Sequence, residues 1–420
     1  MRILVHDYSG HPFQAQLSRE LAHRGHDVVH STCPAYVSGK GNLAEDTVAG
    51  LRFVTIGDHV VLDKGAYVRR LFQETRLGLE LARQVRREQP DVAMLGNLPI
   101  PTLVMAAAAL RTLRIPWVLW HQDITAIALR SFAAAGVSRL MGVAARVFEQ
   151  GERWSARRAS AIVVIADSFV RVHREWGTAD KVSVIPNWAP LDEILPVARA
   201  NAWSREHGLT GVRTVLYSGT IGLKHNPALL VRLVETLREQ GERVRLVVVN
   251  DGPAVPVIKE AAAARGVDLT LLPFQPYERL PEVLGTGDVL VVLLAADAGE
   301  FSVPSKTLSY LCAGRPVLGL MPADNLAAQL LRKAGSAVFA PEESSLAGAA
   351  TWVREVLNDP ARAEALGKES RALAEREFAL ERCASRFEEI LRLASSTRDP
   401  LHKSNVRSSR CAKSRTRNKR

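Results

Sequence analysis

The residues best suited to chemistry lie between two apolar runs in the C-terminal half of the chain. Val289 to Leu294 and Pro316 to Met321 are predicted to be buried parallel strands. A short helix is predicted between them, over Ser305 to Ala313, and Gly314 ends it. The unpaired N–H groups at the start of such a helix suit a phosphate or an oxygen-rich ligand. Lys306 adds a positive charge in the same turn, where it opposes the helix dipole, and this placement indicates an anion-binding site.

A glycine-containing turn follows the first strand predicted for the C-terminal half. That strand is Arg213 to Ser218, and the turn after it contains Gly219, Thr220 and Lys224. Small residues let backbone amides approach a phosphate, and the ammonium of Lys224 adds a point charge. Gly-x-x-Gly alone is a weak motif. Its place directly after the first strand of this half strengthens the prediction that Lys224 lies beside a bound phosphate.

Short apolar segments alternate with longer amphipathic segments along most of the chain. This alternation predicts parallel sheets with helices on both faces, which is an α/β fold. At 420 residues the chain exceeds a single core, so we expect two doubly wound domains. The predicted division is residues 1–195, residues 196–378, a terminal helix over residues 379–394 and a disordered basic tail over residues 395–420.

Four short motifs resemble those of a known family. They are Ile185-Pro186-Asn187, Val303-Pro304-Ser305-Lys306, Tyr310-Leu311 and Ala313-Gly314-Arg315-Pro316-Val317. With these motifs the chain resembles the retaining glycosyltransferases of family 4. The resemblance implies the GT-B fold, in which two Rossmann-like domains face a central cleft. The N-terminal domain would then bind the acceptor, the C-terminal domain would bind a nucleotide-sugar donor, and the final helix would cross back to the N-terminal domain.

The resemblance also implies roles for single residues. A histidine at the place of His121 faces the transferring sugar, with a histidine that only caps a strand end as the structural alternative. Lys224 and Lys306 would hold the donor diphosphate, and Thr220 stands where relatives have an arginine. Glu300 would contact the sugar hydroxyls if the loop is shifted by one residue. The alternative for Glu300 is an exposed loop carboxylate.

Ser309 stands where the family usually has a glutamate that holds the ribose, and a serine lacks that charge and reach. The implied catalytic residues are His121, Lys224 and Glu300. The implied donor-binding residues are Gly10, Gly219, Thr220, Lys224, Gly252, Phe274, Arg279, Ser302, Ser305, Lys306 and Ser309. No metal and no other cofactor are expected.

The resemblance implies transfer of a hexose or N-acetylhexosamine from a nucleotide diphosphate, with UDP favoured. The acceptor would be a saccharide or a polyprenyl-linked saccharide in the assembly of a surface polysaccharide, such as a lipopolysaccharide or exopolysaccharide. Two alternatives remain open. A sugar-nucleotide epimerase shares the architecture, although few acids are predicted in the cleft. A non-catalytic nucleotide-sugar-binding subunit agrees with the replacements at Thr220 and Ser309.

The net charge of +11 is concentrated at the C-terminus. From Arg398 onward the tail has nine Lys or Arg and a single acid, Asp399. Such a segment is either a solvated extension or an attachment to anionic lipid. Nucleic acid is a less suitable partner, because no aromatic residues lie between the charges. The alanine-rich segment from Ser131 to Ser160 carries several arginines and is a second candidate for membrane contact.

Cysteine usage and hydropathy predict the compartment. The four cysteines are scattered without paired spacing, which is typical of a reduced, cytosolic protein without a metal cluster. No uncharged apolar run of about 18 residues is present, and the start of the chain lacks the apolar core of a signal peptide. We therefore expect a cytoplasmic protein, or one peripheral at the inner face of the plasma membrane.

Overall fold

The structure is a computed structural model that describes residues 1–8, 12–33, 48–57, 67–125, 139–221, 225–252, 254–296 and 305–397. The chain forms two compact units. The N-terminal unit comprises Met1–Asn187 together with the described residues from Glu381 onward. The C-terminal unit comprises Trp188–Leu380.

The N-terminal unit contains a parallel sheet of seven strands in the order β3-β2-β1-β4-β5-β6-β7. Its strands are β1 Arg2–Asp7, β2 Asp27–Thr32, β3 Leu51–Thr55, β4 Val92–Gly96, β5 Trp117–His121, β6 Ala161–Val164 and β7 Val182–Val184. Its helices are α1 Pro12–His23, α2 Tyr67–Glu88, α3 Ile100–Thr112, α4 Arg139–Arg158 and α5 Asp167–Trp176. The last helix of the chain, α14 Leu380–Ser396, belongs to this unit from Glu381 onward.

The C-terminal unit contains a parallel sheet of six strands in the order β10-β9-β8-β11-β12-β13. Its strands are β8 Thr214–Ser218, β9 Arg245–Val249, β10 Leu269–Leu272, β11 Val289–Leu293, β12 Val317–Leu320 and β13 Ala337–Phe339. Its helices are α6 Ala202–Glu206, α7 Ala228–Glu239, α8 Ala254–Arg265, α9 Leu280–Thr286, α10 Ser305–Cys312, α11 Leu326–Lys333, α12 Leu346–Asn358 and α13 Pro360–Phe378.

The central strands of both sheets are buried along their whole length. Every residue of β4, β5, β11 and β12 is buried, as expected for parallel strands covered by helices on both faces. The strand order reverses between β1 and β4 in one sheet and between β8 and β11 in the other. In doubly wound sheets, ligands bind beyond the carboxyl ends of the strands at such a switch point. The predicted doubly wound α/β fold is confirmed.

The boundary between the units lies after Asn187, not after residue 195 as the sequence predicted. The physical reason is that the intervening segment packs on the C-terminal unit. The backbone N–H of Ala189 donates to the carbonyl of Phe378 at 2.8 Å, and Ile194 is fully buried in the core of that unit. Pro190, which together with Pro196 suggests a linker from sequence, is half-buried in this segment, whereas Pro196 is exposed.

The final helix is fixed to the N-terminal unit by an apolar and a polar contact. The rings of Phe387 and Trp120 pack with their centroids 4.6 Å apart. Beside this contact, the Glu388 carboxylate binds His26 Nε2 at 3.0 Å and Arg24 Nη1 at 3.1 Å. Burial raises the pKa of Glu388, but hydrogen bonds from Arg392, His26 and Arg24 outweigh this effect and hold the pKa well below its usual value. The helix thus completes the face of a sheet formed by the first half of the chain.

Candidate functional site

The switch-point site, which we define as the turn Ser218–Ile221 together with Lys306, lies between β8 and β11. Gly219 directly follows β8 and has a φ of +132°, a conformation that L side chains rarely adopt. A Cβ atom at this position would lie 3.2 Å from Lys306 Nζ. Glycine therefore provides both the backbone conformation of the turn and the room for the lysine.

Lys306 lies in the first turn of α10 and points back at this turn. Its Nζ donates to the hydroxyl of Tyr217 and, at 3.3 Å, to the carbonyl of Thr220. The ammonium lies 4.2 Å from the centroid of the Tyr217 ring, a cation–π contact. Burial lowers the pKa of Lys306 to about 8, because its described partners are neutral oxygens that do not offset the loss of water. The site therefore contains a cation without an anionic partner among the described residues.

Three side chains bind the backbone of the turn and hold it in place. The Tyr310 hydroxyl accepts from the Ser218 N–H at 2.8 Å and donates to the Ser218 carbonyl at 3.0 Å. The Tyr217 hydroxyl donates to the Thr220 carbonyl at 3.0 Å. Asn250, buried at the end of β9, accepts from the Ile221 N–H through Oδ1 at 3.3 Å. Burial raises the pKa of both tyrosines, so both phenols stay protonated.

One amide of the turn has no such partner. The Thr220 N–H donates to none of the described residues, and Thr220 is exposed. The Lys306 ammonium is bonded to the carbonyl of this same residue. Amide and ammonium donors gathered at the carboxyl edge of a parallel sheet can bind a phosphate group.

A second group of predicted residues lies on the neighbouring strands β9 and β10. Gly252, after β9, is exposed with a φ of +147°. Asp251 Oδ2 accepts from the backbone N–H of Phe274 at 2.9 Å, and this bond ties the two loops together. The Phe274 ring is 46% exposed, so a flat ligand could stack on it. Arg279 is bound by Glu206 at 3.1 Å and Glu282 at 2.8 Å, so its charge is already compensated.

Several predicted site residues cannot be placed. Gly10, Lys224, Glu300 and Ser302 lie outside the described residues, and of Ser305 only the backbone is described, at the start of α10. Gly219, Thr220 and Lys306 are brought into direct contact, and Ser309 is half-buried on the same helix as Lys306. Sequence analysis missed Tyr217, Asn250 and Asp251, which hold the loops of the site in place.

His121 lies at the end of β5 in the N-terminal unit, and its imidazole is bonded on both sides. Nε2 lies 3.0 Å from Glu152 Oε1, and Nδ1 lies 3.1 Å from His173 Nε2. The residue is only 4% exposed. Both ring nitrogens therefore bond to protein groups, and the imidazole has the contacts of a structural histidine.

Glu152 and His173, which sequence analysis did not identify, complete this buried network. His173 Nδ1 lies 3.0 Å from Thr178 Oγ1, and burial lowers the pKa of His173 to about 3, so this ring is neutral. Glu152 Oε1 also accepts from the Thr125 N–H at 3.1 Å. The carboxylate thus holds His121 and the start of the segment after β5 together. Its position on α4, 31 residues from His121, has no motif that could have revealed it.

The two sheets, each with its switch point, define a two-unit α/β protein of the GT-B class. Residues 11–188 match the family model described as "Glycosyl transferase 4-like domain", and residues 200–373 match the model described as "Glycosyl transferases group 1". The chain belongs to the family 4 glycosyltransferases, as the sequence motifs predicted.

Individual relatives agree with this assignment. The chain is 27% identical over 239 residues to WcaI of Escherichia coli, which is described as a colanic acid biosynthesis glycosyl transferase. The match covers 54% of this chain and 57% of the relative, so it spans little more than half of that protein.

Two solved structures share the fold at low sequence identity. Anabaena HepE in complex with UDP and glucose has a TM-score of 0.65 at 15% identity, covering 93% of this chain and 99% of that one. A sucrose-phosphate synthase from Thermosynechococcus elongatus has a TM-score of 0.67 at 15% identity, covering 94% and 98%.

Tyr310→Phe tests how firmly the turn of the switch-point site is held. The substitution removes both bonds to Ser218 and leaves a backbone donor and acceptor unpaired, which we expect to lower the free energy of unfolding by roughly 1–3 kcal/mol. Denaturant unfolding measures the loss. Tyr277→Phe is the control for the loss of a single side-chain hydrogen bond, to Glu193, at a residue that is 51% exposed. A loss no larger than that of the control would contradict the role assigned to Tyr310.

Proposed function

We propose that the protein is a retaining glycosyltransferase that transfers a hexose or N-acetylhexosamine from a nucleotide diphosphate to a saccharide or lipid-linked saccharide. The observation that carries this proposal is the half-buried ammonium of Lys306 beside the open N–H of Thr220. A sugar leaves a nucleotide diphosphate only if the negative charge growing on the departing phosphate is stabilised. Preorganised donors of this kind supply that stabilisation.

The reaction proposed here requires only groups that the substrates and the chain supply. The bond between the anomeric carbon and the diphosphate oxygen breaks, and the acceptor hydroxyl oxygen forms a new bond to the same carbon. The acceptor proton goes to the departing phosphate, whose remaining charge stays beside Lys306. Because Lys306 already offers a positive charge to the leaving group, we propose that transfer needs no metal.

UDP is the nucleotide we favour. In the structure of HepE, a protein of the same fold, UDP and glucose are bound. In this chain the exposed ring of Phe274 offers a surface for a base, next to the loop held by Asp251. The bound nucleotide would then lie along the carboxyl edge of the sheet. Its diphosphate would be at Lys306, its ribose near Ser309 on α10, and its base at β10.

The acceptor is proposed from the named relative and from the surface of the N-terminal unit. WcaI is described as acting in colanic acid biosynthesis, and colanic acid is a polysaccharide. We therefore propose that this protein also builds a surface polysaccharide, in the cytoplasm at the inner face of the membrane. No helix in the described ranges is sufficiently long and apolar to cross a bilayer.

Two helices of the N-terminal unit present a surface suited to anionic lipid. On α2, Phe72 is 72% exposed and lies one helical turn from the exposed Arg69 and Arg76. On α4, Val143 and Val147 are exposed next to Arg146. Apolar side chains flanked by arginines can insert between lipid headgroups while the guanidinium groups bind phosphate. We propose that this surface brings the enzyme to lipid-linked acceptors.

Binding of a nucleoside diphosphate is the first test of the proposed function. UDP, GDP and dTDP are titrated against the protein, and we expect UDP to bind most tightly and to raise the melting temperature by mass action. Lys306→Met should weaken UDP binding about tenfold or more, because it removes a charge-assisted contact. The ligand-free variant should melt no lower than the native protein, since the substitution removes a half-buried charge that has no negative partner among the described residues. Lys259→Met, at an exposed lysine of the same unit, is the control.

The outcomes separate the proposed enzyme from its rivals. Absence of binding by all three nucleotides to a folded sample would refute the donor site. UDP binding without transfer to any saccharide acceptor would favour the non-catalytic subunit, an alternative that the replacement of the family's glutamate by Ser309 also permits.

The pH dependence of UDP binding follows from the lowered pKa of Lys306. In the free protein the ammonium is present below about pH 8 and is lost above it. Bound diphosphate requires the charged form of Lys306, so the affinity for UDP should be constant below about pH 8. Above that pH the affinity should fall by up to tenfold per pH unit, because the Lys306 amine must take up a proton when UDP binds. Calorimetry in buffers of different ionisation enthalpy measures this uptake. Lys306→Arg stays charged and should show no such fall; an equal fall in that variant would assign the titration to another group.

Vesicle co-sedimentation tests the surface on α2 and α4. The protein should sediment with vesicles that contain anionic phospholipid, and less so at high salt, because charge attraction is screened. Replacing Phe72 and Val147 by serine should reduce the bound fraction severalfold. Leu393→Ser is the control, since Leu393 is 62% exposed on α14 of the same unit. Equal binding to neutral vesicles, or unchanged binding by the double variant, would disprove the proposed surface.

A further inference from the structure

A cavity of about 540 Å³ lies at the opposite edge of the C-terminal sheet from the switch-point site. Arg213, Asp288 and Pro316, which directly precede β8, β11 and β12, form one wall of this amino-edge cavity. Residues of α12 and α13 form the other wall. The cavity and the switch-point site lie at the two ends of α10, which is eight residues long and therefore spans about 12 Å.

The lining combines aliphatic surface with basic groups. Pro196, Val356, Leu357 and Pro360 contribute apolar surface. The basic residues that line the cavity are Arg213, Arg315, Lys368 and Arg371. A ligand that fits this lining would have an apolar part and a negative charge.

Three of the four basic residues are paired with acids. Arg213 binds Glu242 at 2.6 Å, and Lys368 binds Glu364 at 2.5 Å. Arg371 binds Glu375 at 2.6 Å and also donates to three backbone carbonyls, those of Leu191, Ile194 and Cys312. These charges are compensated within the protein, so they do not call for a ligand.

Arg315 differs from these three. Its guanidinium is half-buried, and among the described residues it donates only to the Val197 carbonyl, at 3.0 Å. The nearest acid that influences it, Asp288, is already bound by Arg199 at 2.6 Å and by the Thr214 N–H at 2.7 Å. Arg199 and Arg315 thus share the single carboxylate of Asp288 as their negative partner.

This shared carboxylate leaves an excess of positive charge at the base of the cavity. Burial lowers the pKa of Arg315, and the charge of Arg199 lowers it further, while Asp288 only partly opposes these effects. A half-buried guanidinium without its own counter-ion is costly, and an anion that enters the cavity would remove that cost. The planar fork of arginine suits the oxygens of a phosphate group.

We propose that the amino-edge cavity is a second anion site, in which Arg315 binds the phosphate of a small organic phosphate whose apolar part packs on Pro196, Pro316 and Leu357. The site is separate from donor binding, because it shares no residue with the switch-point site. It goes beyond glycosyl transfer, which needs no ligand at this edge of the sheet.

Phenyl phosphate is a suitable probe, because it joins a phosphate to a small apolar ring. Titrated in phosphate-free buffer and followed by calorimetry, it should bind to the native protein in a saturable manner. Arg315→Gln should weaken this binding about tenfold or more, the usual effect of losing a charge-assisted pair. Arg243→Gln removes the same charge at an exposed position of the same unit and should leave the affinity unchanged.

Two further variants keep the result interpretable. Lys306→Met, which disables the switch-point site, should still bind phenyl phosphate. Arg315→Lys retains the charge but lacks the planar guanidinium group, so it should bind phenyl phosphate with intermediate affinity. This variant can still test the site if Arg315→Gln folds poorly. Inorganic phosphate should bind more weakly than phenyl phosphate, because it cannot use the apolar wall.

Three results would overturn the proposal. The first is the absence of saturable binding by the native protein. The second is binding that survives in both Arg315 variants but is lost in Lys306→Met, since the anion would then occupy the switch-point site alone. The third is equal affinity for inorganic and phenyl phosphate. This result would show that the apolar wall does not contribute to binding and that the ligand is not specifically an organic phosphate.

Discussion

The C-terminal unit is arranged around a half-buried positive charge that has no negative partner among the described residues. Lys306 is held by a phenol, a carbonyl and an aromatic face, and none of these compensates a full charge. Tyr310 and Asn250 fix the turn opposite the lysine, and Gly219 leaves space for it. These contacts keep the ammonium in place although its environment is unfavourable. A rigid, undercompensated cation is well suited to a charge that appears only during a reaction.

Much of the fold could be predicted from hydrophobic pattern. Val289 to Leu294 reads as an uninterrupted apolar run, which is the pattern of a strand covered on both faces, and β11 is such a strand. The boundary at residue 195 was wrong because Pro190 and Pro196 suggest a linker equally well whether the segment is solvated or packed. Only the burial of Ala189 and Ile194 distinguishes the two cases.

The site could be predicted where backbone requirements select a residue type. Gly219 was found because a turn after a strand favours glycine, and Lys306 was found because a cation in the first turn of a helix opposes the helix dipole and so indicates an anion. The contacts that hold the site residues could not be found, although Tyr310 itself belongs to one of the motifs. Tyr310 lies 92 residues from Ser218, and His173 lies 52 residues from His121. Tyrosine and histidine are ordinary core residues, and only the folded chain shows which backbone groups or ring nitrogens they contact.

The position of the last helix has a consequence for biosynthesis. All seven strands of the N-terminal unit lie before Asn187, yet Trp120 on β5 is packed by Phe387 from α14. A ribosome that has made the whole first sheet must still translate the entire C-terminal unit before the covering helix emerges. During that interval the side of Trp120 that Phe387 covers in the folded protein is exposed, and exposed apolar surface of this kind makes a nascent chain prone to aggregation.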